Sequence, residues 1–230
     1  MKTLGIIGGL SWFSTAMYYQ LINQLTNQKL GGSHSARLLL YSVDFNDFKT
    51  LQENNEWDKI DQMLSDIAVK LQSAGADCIL MATNTPHLVA DTVRQKIKIP
   101  MLHIAEETAK EIVRQKINKV GLLGTKFTME NSFFKNRLSE FGIDSIVPED
   151  VDRDFIHASI FDELTKGIFK DKTKKKYTDI IDRLMASGAD GIIFGCTEIS
   201  LLIKQEDISA IIFDTTEIHS KAAVDFALAP

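Results

Sequence analysis

Cys196 closes an apolar run and opens a polar one. In Gly188-Ala189-Asp190-Gly191-Ile192-Ile193-Phe194-Gly195-Cys196-Thr197-Glu198-Ile199-Ser200-Leu201, a short apolar segment reaches a small residue, then a thiol, then the polar start of a helix. Open α/β sheets place reactive groups just past the carboxyl end of a strand. The chain carries this stretch a second time. Gly75-Ala76-Asp77-Cys78-Ile79-Leu80-Met81-Ala82-Thr83-Asn84-Thr85-Pro86-His87-Leu88 aligns with it without a gap, and Thr83 falls where Cys196 stands. Two duplicated halves presenting such groups to each other suit a reaction that needs one on each face of a carbon. Inverting a stereocentre beside a carboxylate is that kind of reaction: one group removes the α-proton and another supplies one from the opposite face. A thiol serves because its pKa, about 8.5, falls at a helix amino terminus, and the amides of Thr197 to Leu201 are expected to favour a Cys196 thiolate. Cysteines are more commonly small buried apolar residues. Cys78, inside a strand, fits that description; the polar run after Cys196 and its match to Thr83-Asn84-Thr85 favour chemistry there.

The elements that must hold these groups repeat as well. Lys2 to Gly9 reads as a buried strand running into a glycine turn, with Ser11 and Ser14 as candidate helix caps. The backbone of such a turn can approach a ligand closely, so its amides are candidates to hold a carboxylate or phosphate. A helix follows over Tyr18 to Leu25, then a strand from Leu38 to Val43 and a polar, irregular segment from Asp44 to Asn55 that contains Gln52. Apolar residues from Ile60 to Leu71 keep helical spacing, Cys78 to Ala82 is a strand, and Pro100 to Ile104 another. Thr85 is a suitable cap, and Pro86 fits the first helical position. His87, in that first turn, is more simply a hydrogen-bonded structural residue than a substrate contact. At Asn118 the pattern restarts. Lys119-Val120-Gly121-Leu122-Leu123-Gly124-Thr125 echoes Lys2 to Gly9, Ile143 to Val147 reads as a strand, residues 150–170 with His157 and Lys166 as helical, and Ile211 to Asp214 as the last strand. An offset of about 113 to 116 residues relates the halves, which is internal duplication. The fold class that follows is α/β: two pseudo-symmetric doubly wound parallel-sheet lobes with the site in the cleft between them. Lobe one is expected over 1–104 plus 216–230 and lobe two over 105–215.

Composition bounds the partners. With 44% apolar and 25% charged residues the chain reads as an ordinary soluble globular protein. A net charge of -5 and no basic cluster with interleaved aromatics argue against nucleic acid. No apolar run is long enough for a membrane span, and the amino terminus lacks a signal-peptide pattern. Two cysteines without metal-ligand spacing fit a reducing cytoplasm.

Gly8-Gly9-Leu10-Ser11-Trp12, Thr83-Asn84-Thr85-x-His87, Leu123-Gly124-Thr125-x-x-Thr128-Met129 and Gly195-Cys196-Thr197-Glu198-Ile199 together resemble the signature blocks of the aspartate/glutamate racemase family, in order along essentially the whole chain. The resemblance implies two pseudo-symmetric α/β lobes, assembly as a homodimer, and racemisation of an acidic amino acid without pyridoxal phosphate or any other cofactor. It matches Cys196 to the second-lobe cysteine that works on the L face. Thr83 stands where the first-lobe cysteine is usual. Asn84, Thr85, Thr197 and Glu198 match residues that hold the substrate amino and carboxylate groups. Leu10, Ser11 and Gln52 match pocket-lining positions, Thr125 and Thr128 meet the ligand from the second turn, and Lys166 matches a lysine facing the side-chain carboxylate. Phe13 and Leu10 depart from the glutamate and methionine frequent in relatives. A threonine hydroxyl stays protonated at neutral pH, so it can deliver a proton but is a poor base. The sequence therefore resembles the Thr/Cys branch that prefers L-aspartate or L-glutamate.

Three other readings compete. A single-cysteine decarboxylase or hydantoin racemase of the same superfamily would lack a reason for the paired polar runs after Thr83 and Cys196. A non-catalytic relative would bind an acidic ligand without exchanging its α-proton. A nucleotide-binding doubly wound protein would need a phosphate motif, and neither G-x-G-x-x-G nor G-K-[ST] occurs.

Overall fold

The computed structural model describes all 230 residues. In chain order the elements are β1 (Leu4–Gly8), α1 (Trp12–Leu30), β2 (Leu38–Ser42), α2 (Phe45–Glu53), α3 (Trp57–Ser73), β3 (Cys78–Met81), a 3-10 turn (Thr85–Val89) and α4 (Ala90–Lys96). They continue with α5 (Ile104–Arg114), β4 (Lys119–Leu123), α6 (Lys126–Glu130), α7 (Ser132–Ser139), β5 (Asp144–Ile146), α8 (Asp150–Asp162) and a 3-10 turn (Leu164–Lys166). Last come α9 (Asp171–Ala186), β6 (Gly191–Phe194), α10 (Ile199–Leu202), a 3-10 turn (Gln205–Asp207), β7 (Ile211–Asp214) and α11 (Thr215–Leu228). The chain divides into two compact units, Met1–Ile104 with His219–Pro230, and Ala105–Ile218.

Each unit is a parallel sheet covered by helices, the α/β class read from the repeated strand–turn–helix pattern. The first sheet has the order β2-β1-β3 and the second β5-β4-β6-β7. In the first unit, strand parity separates two cores. Leu4, Ile6, Cys78 and Leu80 pack with Tyr18 and Ile22 of α1 and Ala223 and Val224 of α11. Ile7, Ile79 and Met81 turn the other way, onto Ile60, Leu64, Ile67 and Leu71 of α3 and Val93 of α4. Alternate residues of a strand point to opposite faces, so a strand apolar at every position must be buried on both. In the second unit, Ile192 and Phe194 of β6 pack with Ile180, Ile181 and Leu184 of α9 and Ile156 and Ile160 of α8.

The duplication reaches individual hydrogen bonds. Asp77 N–H donates to Thr3 O at 2.8 Å, and Asp190 N–H to Lys119 O at 2.9 Å. Ala82 N–H donates to Ile7 O at 2.9 Å, and Gly195 N–H to Leu123 O at 2.7 Å. Even the strand glycines serve the same neighbour: a Cβ on Gly5 would meet Ile79 Cδ1 at 2.8 Å, and one on Gly121 would meet Ile192 Cδ1 at 2.7 Å.

Several local expectations are corrected. Asp44 to Asn55 is helical rather than irregular, because Asp44 caps α2 by accepting from Asn46 N–H at 2.9 Å and Phe48 gives the helix a buried anchor. Pro100 to Ile104 is not a full strand. Met101 makes a single parallel bridge to Ile79, and α5 begins at Ile104. Thr85 does not cap an α-helix; it opens the 3-10 turn, with Pro86 in its first positions.

The turn after β1 has a strict steric demand. Gly9 has φ +78, and a Cβ there would lie 2.1 Å from Val43 O. Gly9→Ala is expected to destabilise the fold by at least about 2 kcal/mol, since both the left-handed backbone and the backbone contact oppose a side chain. Urea unfolding checks this, and a midpoint within error of the parent would contradict it.

Candidate active site

Thr83 and Cys196 follow their strands with the same parity: Ile79, Met81, Thr83 in one half and Ile192, Phe194, Cys196 in the other. Exposure repeats too. Met81 and Ala82 are buried, Thr83 is half-buried and Asn84 is buried; Phe194 and Gly195 are buried, Cys196 is half-buried and Thr197 is buried. In both halves the strand ends on a single residue that solvent or a small ligand can reach. Cys78 is fully buried inside β3, and burial followed by the Asp77 charge pushes its thiol up to about 12, so it is an inert core residue.

In the second unit, Cys196 Sγ donates to Glu198 Oε2 at 2.9 Å, and Glu198 itself is buried. The thiol pKa is raised well above its ordinary value, first by burial, then by the Glu198 charge and by the hydrogen bond to that carboxylate. The Glu198 backbone N–H acts in the opposite sense and is outweighed. The expected thiolate, stabilised by a following helix, is therefore corrected. The helix-like run Thr197 to Leu201 yields only the four-residue α10, which starts at Ile199, and a carboxylate occupies the side of the sulfur. Two negative charges at that separation would repel by on the order of 5 kcal/mol at an effective dielectric of about 20. The proton therefore stays between them. Next to this pair, Thr125 and Thr128 bring their hydroxyls within 3.2 Å of each other, and a Cβ on Gly195 would touch Thr128 Cγ2 at 3.1 Å. The Lys166 side chain is 59% exposed and lies 3.8 Å from Asp162.

In the first unit, Ser11 caps α1 by accepting from Ser14 N–H at 3.3 Å, and Leu10 is buried beside it. Gln52 is half-buried in the last turn of α2. The Gly9 amide donates to Thr15 Oγ1 at 2.9 Å, so the glycine turn spends this amide internally. The same holds across the duplication. Lys126 N–H donates to His157 Nδ1 at 3.2 Å and Thr128 N–H to Thr125 Oγ1 at 3.3 Å.

His87 is buried and holds the turn that carries Thr83. Its Nδ1 lies 2.9 Å from Thr83 O and 3.3 Å from Asn84 O. Its ring packs 4.7 Å from that of His103 and 5.6 Å from that of His219. His103, His219 and Tyr18, whose hydroxyl is 2.8 Å from His219 Nδ1, are not legible in the sequence as a group. They come from three segments with no shared spacing. No group of three or more His, Cys, Asp or Glu side chains in the chain is arranged to hold a metal ion.

The buried histidines are expected to make the fold acid-sensitive. Burial, opposed in part by the hydrogen bond to Leu102 O, lowers His219 to about 3; burial and then the two neighbouring imidazoles lower His87 well below its usual value. Below the unfolded value of about 6.5 the unfolded chain binds protons that the folded chain refuses, so stability falls as pH drops. Unfolding free energy is expected to be level between about pH 6.5 and about pH 8, and to lose a few kcal/mol on the way toward about pH 3. Denaturant midpoints that do not change between pH 7 and pH 5 would contradict this.

Comparison with known proteins identifies the family. Residues 7–223 match the Asp/Glu/hydantoin racemase family. The chain is 25% identical over 233 aligned residues to a broad-specificity amino-acid racemase from Bacillus subtilis (strain 168), covering 98% of each chain. It superposes with a TM-score of 0.96 and 48% identity on the crystal structure of a proposed Asp/Glu racemase from Yersinia pestis, over the full length of both. An aspartate racemase homologue from Pyrococcus horikoshii OT3 gives a TM-score of 0.91 and 36% identity, again over both full lengths. No helix is long and apolar enough to cross a membrane. The family match over nearly the whole chain establishes that this chain belongs to the Asp/Glu/hydantoin racemase family.

Proposed function

We propose that the protein is a cofactor-independent racemase of aspartate or glutamate, acting on the L isomer in preference. Cys196 removes the α-proton on the L face and Thr83 delivers a proton to the opposite face of the resulting carbanion. The observation that carries this reading is the Cys196–Glu198 hydrogen bond at 2.9 Å on a half-buried thiol. A base must lose its own proton before it can take another. Moving the thiol proton to Glu198 leaves one negative charge on sulfur and a neutral carboxyl, so the charge of the pair is unchanged. The thiolate so formed then accepts the substrate α-proton. Glu198 is thus assigned to proton acceptance from Cys196 rather than to binding the substrate amino group.

The remaining assignments follow the family resemblance. Asn84, Thr85 and Thr197 hold the ammonium and α-carboxylate, and Leu10, Ser11, Gln52, Thr125 and Thr128 line the pocket. The exposed ammonium of Lys166 meets the second carboxylate, and the working form is a homodimer in the cytoplasm.

Proton NMR in D₂O of L- and D-aspartate and L- and D-glutamate, each with enzyme, tests the proposal. Loss of the α-proton signal is expected fastest with an L isomer and slower with alanine, and unchanged after treatment with a chelator and hydroxylamine. Ligand binding without α-exchange on any of the four would replace the racemase by a non-catalytic acidic-ligand binder.

A further inference from the structure

The carbonyls on either side of the Thr83 peptide plane are both held by buried side chains. Ser14 Oγ donates to Ala82 O at 2.7 Å. His87 Nδ1 lies 2.9 Å from Thr83 O and 3.3 Å from Asn84 O. A carbonyl only accepts, so Nδ1 must carry the hydrogen, and Nε2 is then a bare lone pair. That Nε2 is fully enclosed and has no hydrogen-bond partner. The tautomer is therefore fixed by the Thr83 side of the ring alone. The second buried imidazole is fixed in its own way. His219 Nε2 faces Leu102 O at 3.1 Å and so donates, which leaves Nδ1 to accept from the Tyr18 hydroxyl at 2.8 Å. His103 packs edge-on against His87 with ring centroids 4.7 Å apart. Three segments of the first unit, namely α1 with Tyr18, the chain at His103 and α11 with His219, thus brace one imidazole ring against the turn that carries Thr83.

A well-packed hydrophobic side chain would fill this space at lower cost. A buried histidine whose second nitrogen goes unpaired carries a desolvation penalty of about 1–3 kcal/mol. It is worth keeping where a donor must stand at one place.

We propose that His87 is a positioning residue that, in its neutral Nδ1–H form and together with Ser14, fixes the backbone of Thr83 so that the threonine hydroxyl is aimed at the substrate α-carbon. The inference rests on the proposed function, in which Thr83 serves one face and Cys196 the other. It predicts damage confined to the Thr83 face. An error of about 1 Å in placing a reacting group can cost about 100-fold in rate, whereas chemistry on the Cys196 face, in the other unit, should be untouched.

The test compares two rates on L-aspartate and L-glutamate in D₂O. One is α-deuterium incorporation with retention, which needs only Cys196; the other is inversion to the D isomer, which also needs Thr83. His87→Leu fills the ring's place without a donor, and His87→Asn keeps an N–H close to the position of Nδ1. His87→Leu is expected to lower inversion relative to exchange by at least about 10-fold, and His87→Asn to restore the ratio to within about threefold of the parent. Circular dichroism and thermal midpoints establish that each variant is folded. Should His87→Leu not fold, Ser14→Ala gives the comparison in its place, since it releases the neighbouring Ala82 carbonyl; a fall in the same ratio supports the proposal, and an unmoved ratio overturns it. Equal loss of both rates in folded His87→Leu, or failure of folded His87→Asn to restore inversion, also overturns it. If the parent enzyme inverts neither amino acid, the racemase reading fails and takes this inference with it. Inversion by the parent with an unmoved ratio in the variants removes this inference alone.

Discussion

Cys196→Ser is expected to abolish both racemisation and α-deuterium exchange on L-aspartate and L-glutamate, a loss of at least about 1,000-fold against the parent. The substitution changes little else. Serine is close in size to cysteine, the site is half-buried, and a serine hydroxyl can still donate to Glu198 in place of the thiol. What is lost is acidity, because a hydroxyl cannot be deprotonated by a carboxylate at neutral pH. Glu198→Gln separates the two halves of the proposed base. The amide oxygen can still accept the thiol hydrogen bond but cannot take the proton, so turnover at neutral pH is expected to fall by about 100-fold. The same change removes the charge that holds the thiol pKa up, so thiolate absorbance in the ultraviolet should develop at lower pH than in the parent. Activity of Glu198→Gln should then climb with pH as that thiolate forms. Residual exchange by Cys196→Ser within about tenfold of the parent would move the base elsewhere. Full activity of Glu198→Gln would leave Cys196 as the base and remove Glu198 from proton transfer.

The strand ends are legible in the sequence for a physical reason. Buried parallel strands must be apolar at every position, so Cys78 to Met81 and Gly191 to Phe194 are visible without any contact information. The polar residue that follows each strand is equally plain. The duplication aligns Thr83 with Cys196 in sequence, and the structure repeats the duplication in strand parity, in exposure and in hydrogen bonds such as Ala82 N–H to Ile7 O and Gly195 N–H to Leu123 O. Other features depend on side chains that no spacing links. The α2 helix is built on a single capping aspartate and one buried phenylalanine, too little periodicity to distinguish from a loop. The raised thiol of Cys196 depends on which way the Glu198 side chain turns; from the chain alone, Thr197-Glu198-Ile199 reads equally well as the start of a helix that would lower it. His87 was visible as a residue of the turn, but its partners His103 and His219 lie 16 and 132 positions further along the chain and become neighbours only through packing.

The Thr83 side admits a test in which activity is gained. If Cys196 takes the proton from the L isomer and Thr83 only donates, the enzyme should turn over L-aspartate or L-glutamate faster than the D form. The equilibrium between enantiomers is fixed, so this asymmetry appears in kcat and KM together, each factor of ten in rate corresponding to about 1.4 kcal/mol of barrier. Thr83→Ala removes the donor. Inversion is expected to fall by about 100-fold, while the L isomer continues to exchange with retention, because the thiolate can return a solvent deuteron to the face it came from. Thr83→Cys restores a thiol at the matched position, and Thr83 is half-buried, so the larger sulfur has room at a strand end. A thiol, with a reference pKa about 8.5 against a hydroxyl that does not ionise at neutral pH, gives the D face a usable base. No acidic residue stands two positions after Thr83 as Glu198 does after Cys196; Thr85 is there instead. The new thiol therefore lacks a built-in proton acceptor, and the gain should be largest at alkaline pH, where it ionises unaided. Because two enantiomers have equal free energy, kcat/KM must be the same for both, so the deciding quantity is the D-to-L ratio of kcat, measured for the parent and Thr83→Cys at pH 7 and pH 9. A rise of about tenfold or more at pH 9 is expected. If the ratio is unmoved at both pH values while both proteins stay folded and active, Thr83 is pocket wall and the proton on that face comes from another group.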